Sequence, residues 1–382
     1  MTLRVLHVDT ERGWRGGERQ TLWLARELAR RGHGSVVAAR HGEPLSARAA
    51  EAGLTVVDCS PFSEIDPRAA WRLRRALREH RIDVVHAHTA HAVAVAALAT
   101  LGTGVPLIVA RRVDFPLRAN AGTRWKYGRA AKIVAISDAV ARVLAASGIA
   151  GDRIVVVPDG VDVDRDVRPA TRETLASLGV AGDGPLIVQV AQLVGHKDPL
   201  NFVRAIDRVR ALVPGAQGLL VGDGPLRADV EREVRMLGLE PNVHLAGYRD
   251  DADALLAAAD VACLSSREEG MGSVLLDALA FGRPVAATRA GGIPEVIIDG
   301  ECGILADVGN PVALGDAIVR LIRDDVLRAR VRANAKARAN EFSVERMTDR
   351  TIAVYESVLA SDGRSRTAAT SASSSSAVTR AP

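Results

Sequence analysis

Glu269 and Asp277 stand in a Glu269-x7-Asp277 spacing within Ser265-Ser266-Arg267-Glu268-Glu269-Gly270-Met271-Gly272-Ser273-Val274-Leu275-Leu276-Asp277. The run reads as a strand end, a glycine-bearing loop and a helix that begins near Ser273. Glu269 precedes that helix and Asp277 lies about one turn inside it, so both carboxylates can face one pocket. Free backbone N–H groups at a helix start, with the helix dipole behind them, form an anion site. Gly270 and Gly272, either side of Met271, let a phosphate approach the backbone closely. Two carboxylates beside a phosphate suit hydrogen bonds to sugar and ribose hydroxyls. On spacing alone, Asp277 as a solvated helix residue is the stronger reading.

Other loops add polar groups. Gln192-Leu193-Val194-Gly195-His196-Lys197 follows a strand, and a fixed cation there can stabilise charge on a departing diphosphate. A lone loop lysine is otherwise a solvated surface residue. Arg12-Gly13-Trp14-Arg15-Gly16-Gly17-Glu18 follows the first strand, and its Gly16-Gly17 pair is at least a turn, without the Gly-x-Gly-x-x-Gly dinucleotide fingerprint. Asp83-Val84-Val85-His86-Ala87-His88-Thr89-Ala90-His91 brings three histidines together. No cysteine or carboxylate cluster completes a metal site there, so no metal is expected. Leu220-Val221-Gly222-Asp223-Gly224-Pro225 is a strand-to-glycine turn, and Tyr248-Arg249 follows Gly247; both suit plain loops. Arg111-Arg112-Val113-Asp114 offers an anion contact, or structural arginines.

Short β-branched runs position these loops: Arg4–Val8, Ser35–Ala39, Thr55–Val57, Val84–His86, Leu107–Ala110, Ile133–Ile136 and Ile154–Val157. A second series follows with Leu186–Val190, Gly218–Val221, Val243–Leu245, Val261–Leu264 and Pro284–Ala287. Helix-length segments separate the runs, which predicts parallel sheets covered on both faces. The fold class is therefore α/β, with two Rossmann-like doubly wound domains whose ligand lies at the strands' carboxyl ends. The boundaries are 1–166 for the first domain, 167–344 for the second, a final helix over 345–360 and a disordered Ser/Ala/Thr/Arg-rich tail over 361–382.

Composition narrows the function. Apolar residues are 48% and charged residues 25%, as in a globular chain, while 3% aromatics leave few bases-stacking candidates, so no nucleic-acid partner is expected. Residues 1–166 hold 25 Lys/Arg against 18 Asp/Glu, a balance of +7 that leaves −3 for the rest of the net +4. A basic half attracts phosphates, acidic glycans or anionic membranes, although an arginine-rich composition produces the same excess. Pro67–Arg81 reads as a helix that buries Ala69, Ala70, Leu73, Ala76 and Leu77. Trp71 falls opposite, among Arg74, Arg75 and Arg78, a pattern for an anionic membrane interface or for a covered, arginine-stacked Trp. Cys59, Cys263 and Cys302 read as small apolar residues of a reducing compartment. With a strand at its start and no span longer than Ala92–Ala99, the chain reads as cytoplasmic, touching the inner face of the membrane at most.

The Glu269-x7-Asp277 block, with Gly282-Arg283-Pro284-Val285 and Gly291-Gly292-Ile293-Pro294-Glu295, resembles the retaining, glycogen-synthase-like group 1 glycosyltransferases of GT-B fold. The resemblance extends to about residue 360. It implies that Glu269 contacts the donor sugar and Asp277 the ribose, where the family's usual residue is Glu. It implies that Lys197 and the residue at Gln192, an Arg in the family, neutralise the donor diphosphate. The same resemblance implies that Gly16 and Gly17 close over the phosphates and that Gly270, Met271 and Gly272 belong to the donor site. It also implies that His88 contacts the donor sugar, that Gly222 lies beside the nucleotide, and that Tyr248 and Arg249 lie near the base.

The expected activity is transfer of a sugar from a nucleotide-diphosphate sugar, the co-substrate, to a hydroxyl acceptor with retained configuration and no cofactor or metal. A lipid-linked or cell-envelope glycan acceptor, met by Arg111 and Arg112, fits the basic first half. A nucleotide-sugar epimerase on the same fold, or a non-catalytic nucleotide-sugar-binding relative, remains as the alternative.

Overall fold

The computed structural model describes residues 2–375, with side chains through Ser361. Two parallel sheets divide the chain. The first takes β1 (Arg4–Val8), β2 (Gly34–Ala39), β3 (Thr55–Asp58), β4 (Val84–Ala87), β5 (Leu107–Arg111), β6 (Ala130–Ala135) and β7 (Ile154–Val156), in the order β3-β2-β1-β4-β5-β6-β7. The second takes β8 (Leu186–Val190), β9 (Gln217–Val221), β10 (Val243–Gly247), β11 (Val261–Leu264), β12 (Val285–Thr288) and β13 (Ile304–Ala306), in the order β10-β9-β8-β11-β12-β13. Six helices matter for the site: α1 (Gly16–Arg30), α2 (Pro67–Glu79), α3 (Ala90–Ala99), α4 (Ala121–Gly128), α5 (Ser273–Ala280) and α6 (Val344–Ser375).

The strands form where runs such as Val84-Val85 and Leu186-Ile187-Val188 can be covered on both faces, and these residues are fully or almost fully buried. Strand order reverses between β1 and β4 and again between β8 and β11. A crevice opens at each reversal, because the connections on its two sides leave in opposite directions. The loops after these four strands carry Gly16-Gly17, His88, Gln192 to Lys197 and Glu269, while Arg111-Arg112, Gly222 and Tyr248-Arg249 follow β5, β9 and β10.

Two elements depart from the sequence reading. β13 was not foreseen, since a three-residue strand behind Gly303 is too short to show a period. The last helix continues to Ser375 through part of the stretch read as a disordered tail, and the rest of that tail lies outside the described residues. Farther back in α6, Met347, Val354, Tyr355 and Val358 pack with Leu3, Val5, Val84 and Ile108 against the first sheet. Cys59, Cys263 and Cys302 are buried free thiols.

Candidate active site

A cleft of about 910 Å³ lies between the domains. It is lined by Gly16, Gln192, Lys197, Gly222, Tyr248, Arg249, Glu269, Gly272 and Asp277, residues expected from the sequence to meet in one place. The N-terminus of α1 faces that of α5, so closely that a Cβ on Gly16 would lie 3.1 Å from Ser273 Oγ. Two sets of helix-start N–H groups therefore point toward one space, the arrangement a diphosphate requires.

Glu269 is held from three sides. Its carboxylate pairs with Lys197 Nζ and accepts from Ser266 Oγ at 3.1 Å. Its backbone carbonyl accepts from Gly292 N at 2.9 Å, and a Cβ on Gly291 would lie 1.9 Å from that same oxygen. Only glycine, which also supplies the positive φ of 47°, lets this loop buttress Glu269. Lys197 ends a 3-10 turn fixed by Ser265, whose hydroxyl donates to the carbonyls of Lys197 and Asp198 at 3.1 and 2.9 Å.

Asp277 occupies a setting the sequence did not disclose. Arg19 of α1 pairs with it, and Arg165 Nη2 meets its second oxygen at 3.0 Å. The same arginines reach Asp253 at 3.4 and 2.8 Å, and Arg19 lies 4.7 Å over the Trp23 ring. Burial pushes the Asp277 carboxyl up, while Arg19 and Arg165 pull it back. The shorter Asp side chain fits because its partners are long cations from the first domain and the linker. Arg19, Arg165 and Asp253 were missed, although Arg12, Arg15, Arg19 and Arg26 recur along the start of α1 at spacings that give it a cationic face. Arg12 and Arg26 line the cleft and hold no ion pair.

His88 does not line the cleft. Its Nδ1 lies 3.3 Å from Arg112 Nη1, and its Nε2 lies 3.0 Å from His7 Nδ1. A guanidinium only donates, so His88 Nδ1 accepts, Nε2 carries the proton and donates to His7 Nδ1, and His7 is protonated on Nε2. Burial and Arg112 hold all three histidines neutral, His7 down to about 3. His7, His86 and His88 are close enough to consider for a metal ion. Here His7 and His88 are hydrogen-bonded to each other, Arg112 brings positive charge, and the His86 and His88 rings lie 4.1 Å apart, tilted by 36°. Arg112 also pairs with Asp159 at 3.1 Å, which makes it a structural residue of this array.

The remaining candidates fall in other surroundings or are held by partners of their own. Met271 is 2% exposed and packs in the core. Gly17 and Gly270 lie off the cleft lining; a Cβ on Gly270 would come 2.4 Å from the Arg112 carbonyl oxygen, so this glycine lets the domains touch. Arg249 lines the cleft, but Asp251 holds its guanidinium through two 2.7 Å bonds. Tyr248 is exposed and donates to Asp250 at 3.2 Å. On α2, Trp71 is 58% exposed and uncovered. Arg74 donates to the Leu101 carbonyl, Arg75 pairs with Glu79, and Arg78 carries no ion pair. Arg111 lines a second cavity on the first domain. No helix among the described residues is long and apolar enough to cross a membrane.

Two parallel-sheet domains facing a cation-lined cleft across their switch points constitute the GT-B architecture. Residues 171–338 match the family described as Glycosyl transferases group 1, and residues 14–165 match Glycosyltransferase Family 4. The chain is 33% identical to a 2-deoxystreptamine glucosyltransferase of Streptomyces kanamyceticus over 66% of this chain and 67% of that one. It is 30% identical to a GDP-mannose-dependent alpha-(1-6)-phosphatidylinositol monomannoside mannosyltransferase of Mycolicibacterium smegmatis over 68% and 72%. The crystal structure of Anabaena HepE in complex with UDP superposes with a TM-score of 0.80 at 21% identity, over 93% of this chain and all of that one, which speaks for the fold. The chain belongs to the group 1 glycosyltransferases.

Proposed function

We propose that the chain moves a sugar from a nucleotide-diphosphate sugar to a hydroxyl acceptor with retention of anomeric configuration and without a resident metal. The observation that carries this reading is the Lys197–Glu269 pair set at the junction of the two facing helix starts. When the donor enters, Lys197 turns from Glu269 to the diphosphate and Glu269 is freed to accept from sugar hydroxyls. The C1–O bond to the diphosphate breaks as the acceptor oxygen bonds C1 on the same face. The acceptor's proton passes to the departing diphosphate oxygen. Lys197 and the helix-start amides stabilise the charge that develops there, the role a preorganised site performs best. A lipid-linked or envelope glycan acceptor is supported by the basic first domain and by a relative named for a phosphatidylinositol mannoside.

The test is nucleotide release from UDP-, GDP- and ADP-sugars, with and without a cell-envelope lipid extract, beside Glu269→Ala. Release of one diphosphate, raised by the extract and abolished by the substitution, is expected, with the product's anomeric configuration read by NMR. Nucleotide binding without release would replace this reading by that of a binding protein.

A further inference from the structure

The second cavity, of about 390 Å³, opens on the first domain between the loop before α2 and the N-terminal ends of α3 and α4. Arg111, Arg118 and Lys126 line it against a single carboxylate, Glu64. Lys126 is 8% exposed, and its Nζ answers Glu64 at 3.2 Å and the Ala90 carbonyl at 3.3 Å. That leaves two guanidinium groups without acidic partners. Arg111 spends one N–H on the Phe115 carbonyl at 2.5 Å, and its buried Nε has no partner. Arg118 is exposed, and its side chain holds no hydrogen bond or ion pair. Arg111 also donates to the Tyr127 hydroxyl, so it meets only neutral oxygens, and Arg118 meets none. Two guanidinium groups without an acidic partner in one concave site suit an oxyanion with several acceptor oxygens, which a phosphate supplies and a neutral sugar does not.

Aromatic and apolar side chains rim the same opening. Trp125 of α4 is 40% exposed and Ile65 is 66% exposed, both on the cavity wall, and Phe62 of the adjoining loop is 91% exposed. The strand end that carries Arg111 also leads toward the second domain. The segment from Arg111 runs on to Phe115, whose ring meets His196 of the second domain at 5.5 Å, and Gly270, beside Glu269, packs on the Arg112 carbonyl. Resting on the proposed transferase reading, we propose that this cavity anchors the acceptor by a phosphate group, with Arg111 and Arg118 as the binding cations and Trp125 as the apolar wall. The acceptor is thus a phosphate-bearing molecule, either a lipid headgroup in a membrane or a soluble sugar phosphate.

The experiment uses the full chain and follows tryptophan fluorescence, with Trp125→Phe assigning the response to this cavity. The probes are inorganic phosphate, glycerol phosphate, and vesicles of phosphatidylcholine with or without phosphatidylglycerol. Binding of at least one anionic probe is expected. It should weaken about tenfold or more in Arg118→Glu, equivalent to ~1.4 kcal/mol, and persist in Lys197→Ala. A response to vesicles alone identifies a membrane headgroup, and one to the soluble phosphates identifies a free acceptor. Binding that Arg118→Glu leaves intact, or that Lys197→Ala removes, overturns the assignment, as does binding to none of the probes. UDP binding measured in parallel reports the donor site, so a failure of the transferase reading registers separately.

Discussion

At Asp277 a carboxylate whose side chain is 2% exposed is compensated by two arginines that keep 17% and 19% of theirs exposed. Removing one member of such a group leaves the others buried without compensation, at about 3–5 kcal/mol when fully enclosed. Asp277→Asn should therefore cost ~3 kcal/mol in denaturant unfolding, at the lower end because both arginines touch solvent. A loss under ~1 kcal/mol would mean that water already screens the cluster. Lys197 carries a different prediction: its removal should lower turnover roughly 100-fold, the scale seen when one charge-stabilising donor is lost. Steady-state kinetics of Lys197→Ala check this, and a value near wild type would shift the diphosphate contact to Arg12 or Arg26. Glu269 and Lys197 were placed in one cleft by resemblance to family motifs in loops directly after strands, since a lone loop lysine by itself reads as a solvated residue. The partners of Asp277 were not legible, because Arg19 and Asp277 are 258 positions apart and meet across the two domains. The resemblance pointed His88 at the donor sugar, yet the orientation of its ring depends on Arg112 and His7, which no local spacing reveals.

The start of α1 shows what an element adds to its residues. Glu18 is 3% exposed, accepts from Arg15 N at 2.8 Å, and closes the first turn of the helix. Burial and the nearby Asp9 carboxylate raise its carboxyl to about 7 from an ordinary value of 4.5. The folded chain thus keeps a proton that the unfolded chain has already lost above pH 4.5. Stability from this group is complete below that value and falls as the pH rises toward 7. Thermal unfolding followed from pH 5 to 7.5 should show Glu18→Gln declining less steeply than wild type; parallel curves would place the titration elsewhere. The other elements were largely readable, since a buried parallel strand needs an apolar run of the kind found at Leu186–Val190 and Val261–Leu264. β6 instead begins at Ala130, ahead of the β-branched Ile133-Val134, because pairing with β5 rather than side-chain type sets its start.

At the scale of the whole molecule, the activity requires two domains that meet in a definite relation, and a few contacts set it. Ser137 Oγ donates to the Gly270 carbonyl at 2.6 Å. Glu295, the last residue of the Gly291-Gly292-Ile293-Pro294-Glu295 motif, reaches across from the second domain. Its carboxylate accepts from Asp138 N at 2.7 Å and Ala139 N at 2.8 Å, capping the helix Asp138–Ala146 of the first domain. A carboxylate on helix-start amides is favoured by both hydrogen bonding and the dipole, and losing a cap costs about 0.5–2 kcal/mol. Here the cost falls on domain association, because donor and acceptor of these bonds belong to different domains, while Ser137 still caps Val140 within the helix. Glu295→Ala should therefore leave each domain folded but open the cleft. Small-angle scattering would report a larger radius of gyration without nucleotide, and the apparent affinity for UDP would fall several-fold, since closure then draws on binding free energy. An unchanged radius together with a lowered unfolding midpoint would show instead that Glu295 serves only its own domain. Closure would then rest on the remaining contacts between the domains, among them the Arg19–Asp277 cluster, the Gly270 contact and the Phe115–His196 ring pair.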